Sequence, residues 1–489
     1  MIARLGTELN AFHPGDCHSF EAGGQRFLYL APSAAVMAVD DVSAAVLDVI
    51  TLKARTSEEI VTDLADRFSA SEVDETLDEL VRVRALKRID APTKRPPVIV
   101  PLTPVPLSTM VLNVTNQCNL SCTYCYEYGE DKIVQTENGK QPKMMTEQTA
   151  RDSVDFLLRE SGKDAHMTFF GGETLLNFRV LKATVAYATE QAAALGKAID
   201  FSMTTNATLL SPEVIDFLAE HKFGVTISMD GPPDLQNKFR VFHNGTGSYD
   251  VMAPKAKALI AKHRSRPIGA RVTLTKDTLD VRRIYNHLTQ DIGFWEVGFA
   301  PVTASPERPH AFGDEGFEQV LAEFRALAQD YLAAALENRH HGFSNVRETL
   351  GEIHKGASKA WPCGAGFGLL GVSTGGDVGL CHRFAGSDDH KFGTVKGGID
   401  RTKQHDFLEA HHVSNKTDCQ TCWARPLCAG GCYHEAHTRF GTTNQPNLHY
   451  CDWIRGWTDA CLQIYGTIAQ LNPGFLQQFE DANEAPQPS

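Results

Sequence analysis

Apolar and polar positions change period several times along this chain of 489 residues. Between residue 108 and about residue 305, short apolar runs alternate with segments of helical period. Such alternation reads as repeated βα units and predicts a parallel sheet. The predicted strands are Ser108–Val114, His166–Phe170, Asp200–Thr204, Gly224–Met229, Gly269–Leu274 and Glu296–Ala300. Ahead of them, Gln25–Leu30 and Ala35–Val39 predict two strands, and three helical patterns follow. Asp41 caps a helix reaching Leu52, Thr56-Ser57-Glu58-Glu59 opens a second, and Ser69 or Ser71 opens a third. These make a module over residues 1–95, separated by a proline-rich linker, 96–107, from an α/β unit over 108–309. Residues 310–360 read as a helical bridge in which Phe317–Leu336 is strongly amphipathic. Residues 361–465 are irregular and rich in Cys and Gly, with one predicted hairpin: Phe367–Ser373, a turn over Thr374–Asp377, then Val378–Phe384. The tail, 466–489, is expected to fray beyond Pro473.

Composition narrows the classes. A net charge of -13 argues against nucleic acid as the main partner. No apolar run approaches the roughly 18 residues of a membrane helix, and Met1-Ile2-Ala3-Arg4-Leu5-Gly6-Thr7-Glu8 carries no apolar signal core. A cytoplasmic protein without a membrane partner is therefore expected. Twelve cysteines in such a chain read as metal ligands rather than disulfides. They fall unevenly: Cys17 alone, then Cys118, Cys122 and Cys125, then eight between Cys363 and Cys461.

The first group has the spacing Cys-x3-Cys-x2-Cys, with Tyr124 before the last cysteine. Three thiolates can hold three irons of a [4Fe–4S] cluster and leave the fourth open to a chelating cofactor. A structural zinc site wants a fourth ligand, which His166 could supply. Three further motifs sit at predicted strand ends: Gly171-Gly172-Glu173-Thr174, Thr204-Thr205-Asn206-Ala207-Thr208, and Ile227-Ser228-Met229-Asp230-Gly231-Pro232. Reactive groups in βα barrels collect at such ends. Together these motifs resemble the radical S-adenosylmethionine (SAM) superfamily, whose fold is a partial (β/α)6 barrel.

The resemblance implies a SAM-binding [4Fe–4S] cluster on Cys118, Cys122 and Cys125, and SAM contacts from Tyr124, Gly171, Gly172, Glu173, Thr205, Asn206, Ser228 and Arg271. The Glu173 carboxylate would accept from the SAM ammonium, and Arg271 would pair with the methionine carboxylate. Thr174 and Ala207 stand where the family has Pro and Gly. Asp230 either stabilises a turn or faces the cavity as a base toward a substrate thiol.

The late cysteines, Cys363, Cys381, Cys419, Cys422, Cys428, Cys432 and Cys451, are similar in spacing to the SPASM domain of the same superfamily. That resemblance implies two auxiliary [4Fe–4S] clusters, three in all. Cys363, Cys381 and Cys432 would hold one, and Cys419, Cys422, Cys428 and Cys451 the other. The first set is one ligand short, which Cys17, Cys461 or a substrate thiolate could complete. Gly364, Gly366 and Gly368 would let backbone amides point at sulfide. The N-terminal module resembles a winged helix of the kind that recognises leader peptides, the RiPP recognition element. The whole layout is similar to radical SAM peptide maturases, most closely those of quinohemoprotein amine dehydrogenase. It implies an enzyme forming Cys-to-Asp/Glu thioether cross-links in a ribosomally made peptide or small protein, which the N-terminal module partly binds. A flavodoxin or ferredoxin would donate electrons. The alternatives are a formylglycine-forming sulfatase-type maturase, which lacks the N-terminal module and carries Asp where this chain has His382, or another SPASM peptide maturase. A non-catalytic iron–sulfur scaffold and a zinc-dependent DNA-binding regulator are the readings from other classes.

Overall fold

The computed structural model describes residues 11–50, 54–89, 98, 100, 105–125 and 141–480. Most of the 96–107 linker, the end of the helix expected to reach Leu52, and the chain just past Cys125 lie outside them.

The six expected parallel strands are present: Thr109–Thr115, Asp164–Gly171, Ala198–Thr205, Gly224–Ser228, Ile268–Leu274 and Glu296–Pro301. They lie side by side in chain order, every neighbouring pair parallel. The first strand is buried almost throughout, as a strand covered on both faces must be, which is why it reads as a continuous apolar run. Among the crossover helices, Thr146 accepts from Thr149 N as a side-chain cap before Glu147–Glu160 and Ser211 from Val214 N before Pro212–Glu220, whereas Phe178–Ala194 and Tyr249–Lys262 start without one. All six strands therefore end on one side of the sheet, where the motif loops emerge.

The sheet does not stop at the first strand. Leu369–Val372 pairs parallel with it, Leu369 opposite Thr109, and Asp377–Gly379, Lys391–Thr394 and Gly398–Ile399 follow antiparallel, making ten strands. The boundary expected at residue 361 thus separates two parts of one sheet. The hairpin is shorter than expected and ends before Cys381, because residues 382–384 turn into a 3-10 helix. The boundary expected at 465 falls inside the helix Leu448–Leu471. Trp453 and Trp457 of that helix pack edge-on to Phe324 of the helix Asp314–Leu336, with ring centroids 5.5 and 5.3 Å apart. The fraying expected beyond Pro473 is not seen over Pro473–Phe479, where Leu476 and Phe479 are buried. Two apolar side chains that close a core face outweigh a polar composition.

At the N-terminus, Cys17–Ala22, Gln25–Leu30 and Ala35–Ala38 form an antiparallel sheet followed by helices Asp41–Ile50, Ser57–Leu64 and Ala70–Arg82. Thr56 and Ser69 each make a capping box, so Ser69 rather than Ser71 opens the third helix. A second small sheet was not legible: Ala11–Pro14 pairs with Arg55–Thr56 and Leu86–Arg88, runs too short to show a period.

The strand Gln25–Leu30 is apolar on both faces for a reason. Leu28 and Leu30 enter the module's own core, while Phe27 and Tyr29, with Phe20 and Ala22, join the main core. The module is docked, not tethered. Asp16 pairs with Arg425, the His18 ring stacks on Trp423 at 3.7 Å, and His18 Nε2 meets Asp459 at 2.6 Å. No helix among the described residues is long and apolar enough to cross a membrane.

The docking contact makes an unusual prediction. Gly466 lies inside the last helix, where Gly→Ala ordinarily stabilises by roughly 1 kcal/mol. A Cβ there would sit 2.8 Å from Ala22 Cβ and 3.3 Å from the Phe20 and Phe27 rings. Gly466→Ala should instead cost about 1–3 kcal/mol by overpacking, and Ala22→Gly in the same chain should recover part of it. Denaturant unfolding, with hydrogen exchange of Gln25–Leu30, measures both.

Candidate active site and cysteine clusters

The loop after the first strand carries Cys118, Cys122 and Cys125, and neighbouring loops hold its backbone. Ser121 N donates to Val241 O at 2.8 Å and Thr123 N to Phe239 O at 3.3 Å. The His243 ring bridges Cys118 O at 3.0 Å and Ser121 Oγ at 2.5 Å. From the third strand's end, Asn206 Nδ2 donates to Asn119 Oδ1 at 3.0 Å and lies 3.9 Å from Cys118 Sγ. The three thiols line a cavity of about 800 Å3 whose far wall includes Asp277, Arg308 and His310. They also line a second cavity of about 520 Å3 that runs along the parallel strands. Burial raises Cys118 and Cys122 to about 11.

The inner cavity gathers most of the expected cofactor contacts. Gly171, Gly172, Thr205, Asn206, Ser228 and Arg271 all line it. Ser228 and Arg271 are register partners on adjacent strands. Arg271 is solvent-accessible through the cavity yet walled by protein; desolvation lowers its pKa and Glu348, also on the wall, opposes that shift. His382 and Arg383 close the side toward the hairpin. The His382 ring lies 4.6 Å from that of Phe170, and burial lowers its pKa to about 3, so it is neutral.

Three expectations change. The Glu173 carboxylate does not face the cavity: it is 1% exposed and accepts from Leu175 N (3.0 Å), Thr205 Oγ1 (2.7 Å) and Asn206 N (2.8 Å). It fixes the loop that carries Asn206 rather than waiting for an ammonium. Thr205 is occupied in the same way, its hydroxyl also accepting from Ala207 N at 3.0 Å. Asp230 does not face the cavity either. Its carboxylate accepts from Tyr124 Oη, from Arg240 Nε at 2.8 Å and from Thr273 N at 3.0 Å. Neither a turn sequence nor a strand-end position signals that role; the partner Arg240 lies ten residues on, past a short helix. Tyr124 keeps its ring at both cavities while its hydroxyl is held by Asp230. His166 cannot join the three cysteines, because it pairs in register with Thr109 at the opposite end of the sheet and bonds Asp200 and Ser202.

Both departures from the family motifs have a local account. Thr174 Oγ1 donates to Thr204 O at 2.8 Å, tying the turn that a proline would stiffen. Ala207 has φ +63°, a left-handed conformation that glycine adopts without penalty. Gly171 (φ +134°) must be glycine, since a Cβ would lie 2.3 Å from Thr115 O.

The late cysteines separate into two groups. Cys419, Cys422, Cys428 and Cys451 line one cavity of about 300 Å3. Gly430 and Gly431, both at positive φ, turn successive amides toward the Cys428 sulfur. Arg455 hydrogen-bonds Cys422. Cys363 and Cys381 lie close enough to Cys432 for its charge to raise both, after burial as the larger cause, and Cys363 also raises Cys381. Ala365 N points at Cys363, but Gly366 N donates to the Leu369 and Leu380 carbonyls, so the glycine-rich turn offers fewer amides to sulfur than expected. Neither spare cysteine reaches this group. Cys17 donates to Ala85 O inside the N-terminal module, and Cys461 is fully buried beside Thr349. Among the described residues no three His, Cys, Asp or Glu side chains converge on one ion.

The family model of the Radical SAM superfamily matches residues 112–275, about a third of the chain. An uncharacterized protein, MJ0907, of Methanocaldococcus jannaschii is 31% identical over 35% of this chain, which spans only 54% of that relative. The serine-type anaerobic sulfatase-maturating enzyme of Bacteroides thetaiotaomicron is 27% identical over 71% of this chain and 86% of its own. Among solved structures, anSMEcpe with bound AdoMet (SAM) superposes with TM-score 0.62 at 21% identity, covering 73% of this chain and 96% of that one. Streptococcus suis SuiB bound to precursor peptide SuiA covers 90% of this chain and 99% of its own, with TM-score 0.50 and 13% identity.

The buried triad under the cysteine loop is open to test. Arg240→Met leaves the Asp230 carboxylate buried without its cation, a loss of about 3–5 kcal/mol. Adding Asp230→Asn should bring back part of it, since the two act as one unit. Thermal unfolding of the single and double variants measures the coupling.

Proposed function

With residues 112–275 forming a radical SAM domain, and the chain therefore an enzyme, we propose that it is a peptide maturase that forms Cys-to-Asp/Glu thioether cross-links in a ribosomally made small protein, the small subunit of a quinohemoprotein amine dehydrogenase. The carrying observation is a shared wall: the three-cysteine loop borders both the inner cavity and the larger outer one. A cofactor held inside would lie directly beneath a space wide enough for a peptide. The residues fit such a cofactor. Cys118, Cys122 and Cys125 would hold its cluster, and Ser228 and Arg271 would take hydroxyl and carboxylate groups. When bound, SAM and the reduced cluster supply hydrogen-atom abstraction from an unactivated carbon.

The chain's own residues place and shield. Glu173 and Asp230 hold the loops around the cofactor in one arrangement, and Tyr124 presents its ring to the cavity from that anchor. Asp277 stands in the outer cavity wall, where Asp230 was expected, and is the better placed carboxylate for a substrate thiol proton. The reaction removes two hydrogens per cross-link, one as an atom from carbon and one as the thiol proton. The single surplus electron would leave through the two late cysteine sets as auxiliary [4Fe–4S] clusters, while a flavodoxin or ferredoxin would donate the electron that starts the reaction.

Peptide binding is supported by the N-terminal module. Ala35–Ala38 is the terminal strand of its sheet, and a leader peptide could add beside it. SuiB, which is seen with its precursor peptide, covers 90% of this chain.

A second reading, a formylglycine-forming maturase, is favoured by similarity to the Bacteroides enzyme. Mass alone does not separate the two, because oxidation of serine to formylglycine also removes two hydrogens. The anaerobically reconstituted protein should be given dithionite, SAM and a cysteine-rich small subunit, and the product fragmented and treated with a carbonyl probe. Fragments bridging Cys to Asp or Glu without a carbonyl support the thioether reading; a carbonyl without bridges replaces it. Cys118→Ala should abolish deoxyadenosine formation.

Metal loading carries a pH signature. Burial raises Cys419 to about 11 and Cys451 to about 12, so these sites are protonated thiols at neutral pH, and iron must displace those protons. Iron uptake by the apoprotein should tighten as pH rises from neutrality toward those values, with proton release measurable by calorimetry in buffers of different ionisation enthalpy. Uptake independent of pH would rule thiol ligation out.

A further inference from the structure

One buried cation lies outside the chemistry described above. Lys416 is 3% exposed, and its Nζ makes no hydrogen bond among the described residues. It sits over the Tyr433 ring, 5.4 Å from the centroid, and the Tyr433 hydroxyl is likewise buried without a partner. Space for the ammonium depends on Gly430: a Cβ there would lie 2.6 Å from both Lys416 Cδ and Nζ. An ammonium taken out of water without an anion costs several kcal/mol, and a lysine in that position loses its proton unless negative charge completes the site. Burial does pull Lys416 down, and the groups opposing that pull are Cys419, Cys428, Cys432 and Cys363. Two of these belong to one late cysteine set and two to the other. Gly430, two residues from both Cys428 and Cys432, and Tyr433, next to Cys432, lie against its side chain, so the ammonium sits beside both sets.

We propose that Lys416 is the shared counter-cation of the two late cysteine sets, donating to their sulfur and holding the reduction potentials of the centres they carry above the values the thiolates alone would give. The inference rests on the reading that both sets hold [4Fe–4S] clusters. Each such centre takes up one electron, from [4Fe–4S]2+ to [4Fe–4S]1+, at a site already negative through its thiolates. A fixed positive charge and a hydrogen bond to sulfur favour the reduced form, and net charge and such bonds are among the determinants of cluster potential. Lysine acts here as a compact point charge with three donors, enough to serve sulfur on two sides. Lys416 is a positioning residue in this scheme; it touches no substrate.

The test uses the full chain carrying Cys118→Ala, Cys122→Ala and Cys125→Ala, so that only the late centres are read. Lys416→Met and Lys416→Arg are made in that background. Iron and sulfide are counted, and each protein is titrated anaerobically with dithionite while the reduced-cluster EPR signal is followed. The expected result is full iron in all three proteins, a shift of at least one late midpoint to lower potential in Lys416→Met, and return toward the parent value in Lys416→Arg. Unchanged midpoints in a fully loaded Lys416→Met protein overturn the proposal. If Lys416→Met instead loses late iron, retention of iron and midpoints by Lys416→Arg supports a charge role, and equal loss in both overturns it. Absence of late iron from the parent protein is a different failure, and sinks the auxiliary-cluster reading itself.

Discussion

Two buried carboxylates hold the functional end of this protein together. A carboxylate without donors is expensive to bury, so each fixes the groups that satisfy it. Asp230 collects Tyr124 from the three-cysteine loop, Arg240 from beyond the fourth strand and the Thr273 amide from the fifth. Glu173 collects the Thr205 hydroxyl and the Asn206 amide from the third. Asn206 then reaches back to Asn119 in the cysteine loop. Residues on or just beyond each of the first five parallel strands are thereby tied to one another through acids that never enter the cavity. Removing either acid would free loop backbone rather than remove a reactant, which is the difference between a positioning group and a catalytic one.

How much of this was legible in the sequence depends on the range of the interaction. The six strands follow from local periodicity, and the N-terminal helix starts at Thr56 and Ser69 follow from caps that act over three residues. The first helix is capped by Asp40, which accepts from Ser43 N, rather than by Asp41. The cysteine spacings are equally local, and Cys419, Cys422, Cys428 and Cys451 meet around one cavity. What the pattern cannot carry is side-chain direction at strand ends. Glu173 and Asp230 sit where cavity-facing acids would sit, and both turn inward because donors more than thirty residues away in sequence are there to meet them. The continuity of the sheet across residue 361 has a related origin. The strand Leu369–Val372 is short and unremarkable by itself, and only its pairing with Thr109–Thr115 merges the cysteine-rich region with the barrel sheet.

The N-terminal module shows a signal that was visible but under-read. Gln25–Leu30 lacks the polar alternation of a strand with one solvated face. That absence is itself information: a strand apolar on both faces needs two cores, and this one has them. Had the hairpin been a solvated wing, Phe27 and Tyr29 would have been exposed aromatics, which small soluble modules rarely carry together.

The docking surface also bears on how the N-terminal module and the late cysteines relate. Trp423 and Arg425 lie between Cys422 and Cys428, and both contact the module, Trp423 through His18 and Arg425 through Asp16. The segment that shapes the four-cysteine cavity is therefore the same segment on which the module rests. Its backbone direction is set by short turns and two left-handed glycines rather than by a long helix or strand. Short turns hold one conformation only when their side chains and ligands fix them. Under the proposed function, the thiols of this segment are bound to iron on one side while its Trp and Arg are bound to the module on the other. Each attachment narrows the conformations the other must select, so the metal-bearing and peptide-bearing parts stabilise a common loop without needing a contact of their own.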